Sequence, residues 1–252
     1  MIEITHVSKS YDESRVLDNI NLTIPRGGVT SIIGPNGAGK STLLSVASRL
    51  IAPDSGHVRV DGMDVHKTSG DVLSRRLSFM RQDNQVAARL TVQDLVSFGR
   101  YPYSKARLTA EDLDHVECAI DFVALSDLRH RYLDQLSGGQ RQRAFVAMVL
   151  AQDTDYVLFD EPLNNLDMRH ARSTMKLLRR MADDFSKTIV VVLHDINFAA
   201  SYSDLIVAMR DGRIAAVGIP RDIARADSLK EIFDMDFSIH RIGDRRLVDF
   251  YA

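Results

Sequence analysis

The first quarter of the chain alternates apolar and polar residues, a pattern typical of half-buried β-strands. The alternating stretches are residues 1–7, 16–24 and 57–62. Residues 29–33 form instead a short apolar run that leads into a glycine-rich loop. A helix is predicted after this loop, from residue 40 to about residue 50, because Pro53 stops it. We therefore expect an opening region that is mostly β-sheet, with one helix behind the loop.

The middle of the chain, about residues 84–151, changes to a helical pattern. Two Thr-x-x-Asp sequences, Thr91 to Asp94 and Thr109 to Asp112, are typical of the capped first turn of a helix. After the second of them, apolar residues recur at helical spacing. This part of the chain is therefore predicted to be a mostly helical insertion.

Alternating strands and helices resume beyond the insertion. Residues 156–159 and 188–193 are apolar runs rich in β-branched or aromatic residues, as in buried parallel strands. Residues 168–185 between them have a helical pattern, and Asp211-Gly212 predicts a hairpin. Together these patterns predict an α/β fold.

Composition narrows the class of protein. The 252 residues carry a net charge of −2, from 32 Lys and Arg against 34 Asp and Glu, so the overall basic charge expected for nucleic-acid binding is missing. Cys118 is the single cysteine, which excludes an intrachain disulfide and fits a reducing cytosol. The apolar runs are far shorter than the about 20 residues that cross a bilayer, and residues 1–7 do not resemble a signal peptide. We therefore expect a cytosolic protein that could dock on a membrane partner.

The glycine-rich loop carries the most specific chemistry. Residues 34–41 fit the pattern G-x-x-x-x-G-K-S between a predicted strand and a predicted helix, which is the context of a phosphate-binding loop. Its backbone N–H groups and the helix N-terminus would surround phosphate oxygens. Lys40 is expected to reach the β- and γ-phosphates, and Ser41 to bind Mg²⁺. The predicted nucleotide-binding residues of this loop are Gly34, Asn36, Gly37, Ala38, Gly39, Lys40, Ser41 and Thr42.

Two acidic residues follow the predicted strand at residues 156–159. In enzymes with this loop, an aspartate at the position of Asp160 holds Mg²⁺. The neighbouring Glu161 is predicted to polarise the attacking water as a general base. The alternative, a solvated loop charge, is disfavoured because Glu161 follows a hydrophobic strand ending in Asp160 and precedes Pro162.

A second candidate phosphate site lies at Leu-Ser-Gly-Gly-Gln, residues 136–140. Ser137 can cap the helix predicted after it, and the two glycines expose backbone N–H groups. One active site rarely needs two phosphate-binding segments from the same chain. We therefore expect a homodimer in which the two segments are shared across the subunit interface. A flexible linker is the alternative, but the apolar neighbours Leu136, Phe145 and Met148 argue against it.

Three further residues carry weak signals by themselves. Gln82 follows a predicted strand. His194 ends another, which makes it a candidate although an isolated histidine is more often structural than catalytic. Tyr11 could stack on adenine, but an aromatic residue in this position also fits local packing.

These motifs, in this order, resemble those of the nucleotide-binding subunit of ATP-binding cassette (ABC) transporters, and the resemblance covers nearly the whole chain. It implies an α/β fold with a P-loop NTPase (RecA-like) core, an antiparallel β subdomain and an inserted α-helical subdomain. The implied organisation is a single ABC ATPase domain over residues 1–252. About residues 1–83 and 152–219 would form the nucleotide-binding core with the β subdomain, and about 84–151 the helical subdomain with the signature motif. Residues 220–252 would form a C-terminal tail.

The resemblance also implies roles for single residues, with ATP and Mg²⁺ as cofactors. Tyr11 would stack on adenine, and Asp167, in the loop 164–167, would contact the other subunit of the dimer. Catalytic roles fall to Glu161, His194 and Gln82, and the implied metal ligands are Ser41, Gln82 and Asp160. The signature residues that would contact the partner's nucleotide are Ser137, Gly138, Gly139 and Gln140.

Two positions depart from the pattern of the family. Asn164 stands where serine is common, and Arg81 precedes Gln82 where proline is common. Neither departure removes a catalytic group. The first leaves the details of the dimer contact open.

Residues 90–102 and 160–170 are similar to those of importers of iron–siderophore complexes and vitamin B12, and most similar to ATPases for catecholate or petrobactin-type siderophores. The implied partners are a second ATPase subunit, transmembrane permease subunits and, indirectly, a siderophore-binding protein, with no nucleic acid. The implied location is the cytoplasm, peripheral on the inner face of the cell membrane. The alternatives are a soluble ABC ATPase acting on DNA or the ribosome, and an importer for vitamin B12 or haem.

The segment from residue 82 to residue 103 is expected to face the membrane subunit. Tyr101 and Tyr103, on either side of Pro102, suit an interface because tyrosine is enriched there, and local packing within the helical subdomain is the alternative for either tyrosine alone. The neighbouring Arg100 is expected to share this surface, so that reversing its charge would spare the fold.

Overall fold

The computed structural model of the chain describes residues 1–82, 88–243 and 245–250. Its strands are β1 (Ile2–Tyr11), β2 (Ser14–Ile24), β3 (Gly28–Ile33), β4 (Ser55–Val60), β5 (Met63–Asp64), β6 (Leu77–Met80), β7 (Tyr156–Phe159), β8 (Thr188–Val192), β9 (Leu205–Arg210), β10 (Arg213–Gly218), β11 (Ser238–Ile242) and β12 (Arg245–Asp249). Its α-helices are α1 (Lys40–Ala47), α2 (Gly70–Leu73), α3 (Val92–Phe98), α4 (Tyr101–Ser104), α5 (Ala110–Phe122), α6 (Gly138–Ala151), α7 (Met168–Asp184), α8 (Ile196–Tyr202), α9 (Pro220–Ile223) and α10 (Ala226–Phe233).

The central sheet has the strand order β10-β9-β3-β8-β7-β6. Strands β9, β3, β8, β7 and β6 run parallel, and β10 pairs antiparallel with β9 through the predicted turn at Asp211-Gly212. A second sheet, β2-β1-β4-β5, is antiparallel. Because the carboxyl ends of parallel strands meet at one edge, the residues that follow β3, β6, β7 and β8 lie near one another. This edge positions the candidate site.

Both faces of the central sheet are covered by apolar side chains. Val157 and Phe159 of β7 belong to one buried cluster, which includes residues of α3, α5 and α6. Tyr156 and Leu158 belong to the other, which includes residues of α1 and the antiparallel sheet. Successive side chains of a strand point to opposite faces, so a strand buried on both faces must be a continuous apolar run. This explains the run at residues 156–159.

The helical insertion begins its helices as the sequence predicts. The Thr91 hydroxyl accepts from the Asp94 backbone N–H at 3.1 Å, and Asp94 accepts from the Thr91 N–H at 3.0 Å. Thr109 and Asp112 make the same reciprocal pair before α5. Within the described ranges, no helix combines the length and the apolar character needed to cross a bilayer.

The expectation that Arg100 lies on a docking surface is wrong. Its side chain is 3 % exposed, and its Nε donates to Oδ1 of Asp112 at 2.9 Å. Nη1 donates to the carbonyl of Ala151 at 2.9 Å, and the guanidinium lies 4.1 Å from the ring centroid of Tyr103. Arg100 therefore ties the start of α5 to the end of α6. Tyr101, by contrast, is exposed.

We expect Arg100→Glu to destabilise the fold by about 3–5 kcal/mol, because it replaces a buried ion pair with two facing carboxylates. Hydrogen bonds from the Thr109 backbone and from Arg100 hold the pKa of Asp112 below its ordinary value. The substitution removes the Arg100 donor and places a second carboxyl group beside Asp112, so the pair must either repel or take up a proton, and both outcomes cost stability. Urea unfolding measures the loss. Arg107→Glu, at an exposed arginine between α4 and α5, is the control and should change stability by less than about 0.5 kcal/mol. Equal stability of the two variants would contradict the assigned role of Arg100.

Candidate functional site

The glycine-rich loop lies between β3 and α1 and requires glycine at two positions. Gly34 has a φ of 146°, and a Cβ added there would lie 2.1 Å from the carbonyl oxygen of Met209. Gly39 has a φ of 93°, and its Cβ would lie 2.7 Å from the carbonyl oxygen of Val16. A side chain at either position would push the loop away from the neighbouring strands. These glycines therefore fix the loop at the carboxyl end of β3.

Lys40 begins α1 and points back into the loop. Its Nζ donates to the carbonyl oxygens of Gly34 and Pro35, each at 2.9 Å, and its side chain is buried. Burial lowers the pKa of Lys40, and the charges of Glu161 and Asp160 oppose that shift. The ammonium group is thus held beside two carboxylates at the loop.

A cavity of about 170 Å³ opens between the loop and Glu161. Its lining residues are Val16, Asn36, Gly37, Gly39, Lys40, Ser41, Thr42 and Glu161. Most of the predicted nucleotide-binding residues of the loop therefore line the same cavity as Glu161, the predicted general base. Val16 comes from β2 and has no polar group, so no motif in the sequence marks it as a site residue.

Ser41 and Asp160 meet beside this cavity. The Ser41 hydroxyl donates to Oδ1 of Asp160 at 2.8 Å, although 118 residues lie between them in the chain. Burial raises the pKa of Asp160, the hydrogen bond from Ser41 lowers it, and the charge of Glu161 raises it further. A hydroxyl and a carboxylate this close supply the oxygen ligands that Mg²⁺ prefers.

Glu161 lies at the start of the loop after β7, with a positive φ of 49°. Its side chain is only 11 % exposed, and Oε1 lies 2.8 Å from Nε2 of His194. Oε2 accepts a hydrogen bond from Nδ2 of Asn164. The next residue after His194, Asp195, caps α8 by accepting from the N–H groups of residues 197 and 198. The ends of β7 and β8 therefore bring the predicted base Glu161 into contact with the predicted catalytic residue His194.

The signature residues, 137–140, lie outside the cavity at Lys40. The Ser137 hydroxyl accepts from the Gln140 N–H at 3.3 Å, and the Gln140 side-chain oxygen accepts from the Ser137 N–H at 2.9 Å. This confirms the predicted capping of α6 by Ser137. In the part of the chain that the structure describes, none of residues 137–140 lines the cavity at Lys40. The glycine-rich loop and the signature residues of one chain therefore do not form a single pocket.

The start of α6 packs against the start of α7. A Cβ added at Gly139 would lie 2.0 Å from Cδ2 of His170, so a side chain there would displace that ring. Asp167 orients His170, whose backbone N–H donates to Oδ1 of Asp167 at 2.8 Å. The predicted dimer-contact residue Asp167 is thus linked to the signature through His170. Sequence reasoning missed His170, although its spacing from Asp167 suits a helix cap.

Tyr11 and Gln82 are predicted site residues that do not line the cavity at Lys40. Tyr11 is 47 % exposed, and its ring centroid lies 5.9 Å from Nζ of Lys9. Gln82 is exposed two residues after the end of β6, whose last residue, Met80, pairs with Phe159 of β7. Gln82 is therefore near the end of β7, which Asp160 follows, and residues 83–87 beyond Gln82 lie outside the described part of the chain.

Comparison with known proteins agrees with this geometry. Residues 17–164 match the family described as ABC transporter. The petrobactin import ATP-binding protein YclP of Bacillus subtilis (strain 168) is 51% identical over 252 residues, covering 100% of both chains. The ferric enterobactin transport ATP-binding protein FepC of Escherichia coli (strain K12) is 40% identical over 227 residues, covering 89% of this chain and 84% of its own.

A solved structure shows the same fold. It is a dimeric, post-hydrolysis state of the ATP-binding cassette MJ0796 bound to ADP and Pi, with a TM-score of 0.76 and 28% sequence identity. The alignment covers 88% of this chain and 99% of that one. The predicted fold class, an α/β P-loop NTPase core with an antiparallel β-sheet and inserted helices, is therefore confirmed. The chain belongs to the ABC transporter family.

Proposed function

We propose that this protein is the ATP-hydrolysing subunit of an importer for ferric siderophores. As a member of its family, the chain is an ATPase coupled to transport. The observation that carries the ATPase chemistry is the shared cavity, in which Glu161 faces the loop that holds Lys40 and Ser41. The cargo is inferred from the full-length similarity to a petrobactin import protein and from the similarity to a ferric enterobactin protein.

ATP would bind with its phosphates on the glycine-rich loop and the N-terminus of α1. Lys40 would then donate to phosphate oxygens in place of the carbonyls of Gly34 and Pro35. The adjacent oxygens of Ser41 and Asp160 fit Mg²⁺, and Gln82 is the third proposed ligand. When bound, the ion would neutralise charge on the phosphates.

Glu161 would accept the proton of the attacking water at one of its carboxylate oxygens. Its second oxygen would stay hydrogen-bonded, which keeps the group oriented. His194 contacts Glu161 and has a side chain that is 42 % exposed, and we assign it the role of sensing the γ-phosphate. Tyr11 remains the proposed adenine-stacking residue, and its exposed ring is free to meet a base.

We further propose that two chains complete the sites together. Ser137, Gly138, Gly139 and Gln140 would contact the nucleotide held by the partner's loop, since in one chain they lie outside the cavity at Lys40. The dimeric cassette with ADP and Pi supports this arrangement. Asp167 would contact the partner from the neighbouring loop.

The proposed organisation follows the sequence motifs. About residues 1–83 and 152–219 would form the nucleotide-binding core with the β subdomain, about 84–151 the helical subdomain, and 220–252 a C-terminal tail. The dimer would sit on the inner face of the cell membrane, bound to permease subunits that receive cargo from a siderophore-binding protein. The exposed ring of Tyr101 remains on the proposed docking segment.

Nucleotide binding is tested first by Lys40→Ala. We expect affinity for ATP with Mg²⁺ to fall about 10–100-fold, because hydrogen bonds from a charged donor to the phosphates are lost. Calorimetry measures the affinity. Lys67→Ala is the control at an exposed lysine outside the loop and should bind ATP as the wild type does. An unchanged affinity in Lys40→Ala would refute the loop assignment.

The cargo is tested in cells that lack the gene. Uptake of iron from ferric petrobactin should be lost and should return with the wild-type gene but not with a Glu161→Gln variant. Ferric hydroxamates, vitamin B12 and haem are compared in the same cells. If petrobactin uptake stayed normal and uptake of a hydroxamate, vitamin B12 or haem were lost, that compound would be the cargo instead.

A further inference from the structure

We propose that Asn164 is a positioning residue that holds the Glu161 carboxylate for catalysis. The inference rests on the proposed ATPase function and adds a residue to that site. It concerns the position at which this chain departs from the serine common in the family.

The geometry places donors on both oxygens of one carboxylate. Nδ2 of Asn164 donates to Oε2 of Glu161, and Nε2 of His194 lies 2.8 Å from Oε1. The backbone supports the first contact, because the N–H of Asn164 donates to the carbonyl of Glu161 at 3.2 Å. The tight turn between the two residues therefore brings the amide to the carboxylate without a long side-chain reach.

Two contacts orient a carboxylate in a way that one cannot. The terminal torsion of a glutamate side chain is broad and roughly two-fold, so a group held by one oxygen can still swing. A general base contributes only when its oxygen points at the proton to be removed. Asn164 removes this freedom on the side away from His194. The loss of Asn164 should therefore lower the rate of the chemical step rather than the affinity for ATP.

The hydrogen bond from Asn164 to Glu161 also links the proposed catalytic carboxylate to the rest of the loop after β7. Asn164 lies between Glu161 and Asp167, and the N–H of Leu166 donates to the carbonyl of Leu163 within this loop. Asp167 then caps α7 and orients His170 against Gly139 of the signature helix. The backbone of this loop thus connects the Asn164–Glu161 contact to the Asp167–His170 contact beside the signature helix.

The experiment compares kcat and KM for ATP in the full-length chain. Asn164→Ala should lower kcat by about 10–100-fold, the usual cost of losing a group that orients a catalytic residue, with KM changed less than about 2-fold. Asn164→Asp has the same shape but, when ionised, accepts instead of donating, so it should lower kcat at least as much. Asn21→Ala, at a hydrogen-bonded asparagine of β2, is the control and should keep the wild-type kcat.

A double-mutant cycle separates positioning from a merely structural role. In a Glu161→Gln background, Asn164→Asp should change the residual single-turnover rate by less than about 2-fold, because the carboxylate that it orients is gone. Wild-type kcat in Asn164→Asp would overturn the proposal. So would an equal loss in both backgrounds, which would mean that Asn164 only supports the loop. A wild-type chain without ATP hydrolysis would instead remove the proposed function, and this inference with it.

Discussion

Replacing Glu161 with glutamine should slow ATP hydrolysis about 10²–10⁴-fold while ATP binding persists, since an amide of the same shape cannot accept the proton of the attacking water. Glu161 lines the same cavity as Lys40 and Ser41, so it is placed to act on a phosphate held by the loop. Its low exposure keeps bulk water from competing for the carboxylate. Lys40, Ser41 and Asp160 are left untouched by the substitution, so nucleotide affinity should survive.

Two measurements check this expectation. Single-turnover release of phosphate gives the rate of hydrolysis. Size-exclusion chromatography with ATP should show that the dimer accumulates, because the closed, ATP-bound dimer no longer hydrolyses its nucleotide and so does not dissociate. Glu111→Gln is the matched control at an exposed glutamate in the first turn of α5, and it should keep wild-type turnover. Near-normal turnover in Glu161→Gln would remove Glu161 from the catalytic role.

Ser137→Arg should abolish hydrolysis and leave ATP binding by the monomer largely intact. Ser137 caps α6, and the described contacts of that helix start do not include the cavity at Lys40. A long cation at this position would block the partner's nucleotide from reaching the helix N-terminus. Binding is measured by calorimetry at low protein concentration, and hydrolysis at a concentration that supports the dimer.

Mixing two inactive variants gives the sharper result. A dimer of one Ser137→Arg chain and one Lys40→Ala chain has one site with both defects and one site with neither. Some hydrolysis should therefore return on mixing, up to about half of the wild-type rate in each mixed dimer, or about a quarter in an equimolar mixture that pairs at random, if the sites act independently. If no activity returned, or if Ser137→Arg lost ATP binding as a monomer, the shared-site arrangement would be contradicted.

The groups that make up the candidate site could be predicted from the sequence because they lie in short local patterns. The glycine-rich loop, the acidic pair after an apolar strand and the capped start of α6 each need only a few neighbouring residues to form. The α/β fold was equally predictable, because a parallel sheet covered on both faces leaves continuous apolar runs in β7 and β8. Capping at Thr91 and Thr109 followed from one-turn spacing alone.

Only the tertiary structure decided which distant side chains meet. Arg100 reads as a surface residue beside tyrosines, but its partner Asp112 is 12 residues away and its second contact, Ala151, is 51 residues away. Ser41 and Asp160 meet because β3 and β7 end at one edge of the sheet, on either side of β8. Asn164 is three residues from Glu161, yet its role depends on the turn of the loop and on the end of β8, which brings His194 to the other carboxylate oxygen. Local patterns specify which groups a chain carries, whereas their pairing depends on strand order and loop geometry, which long-range packing determines.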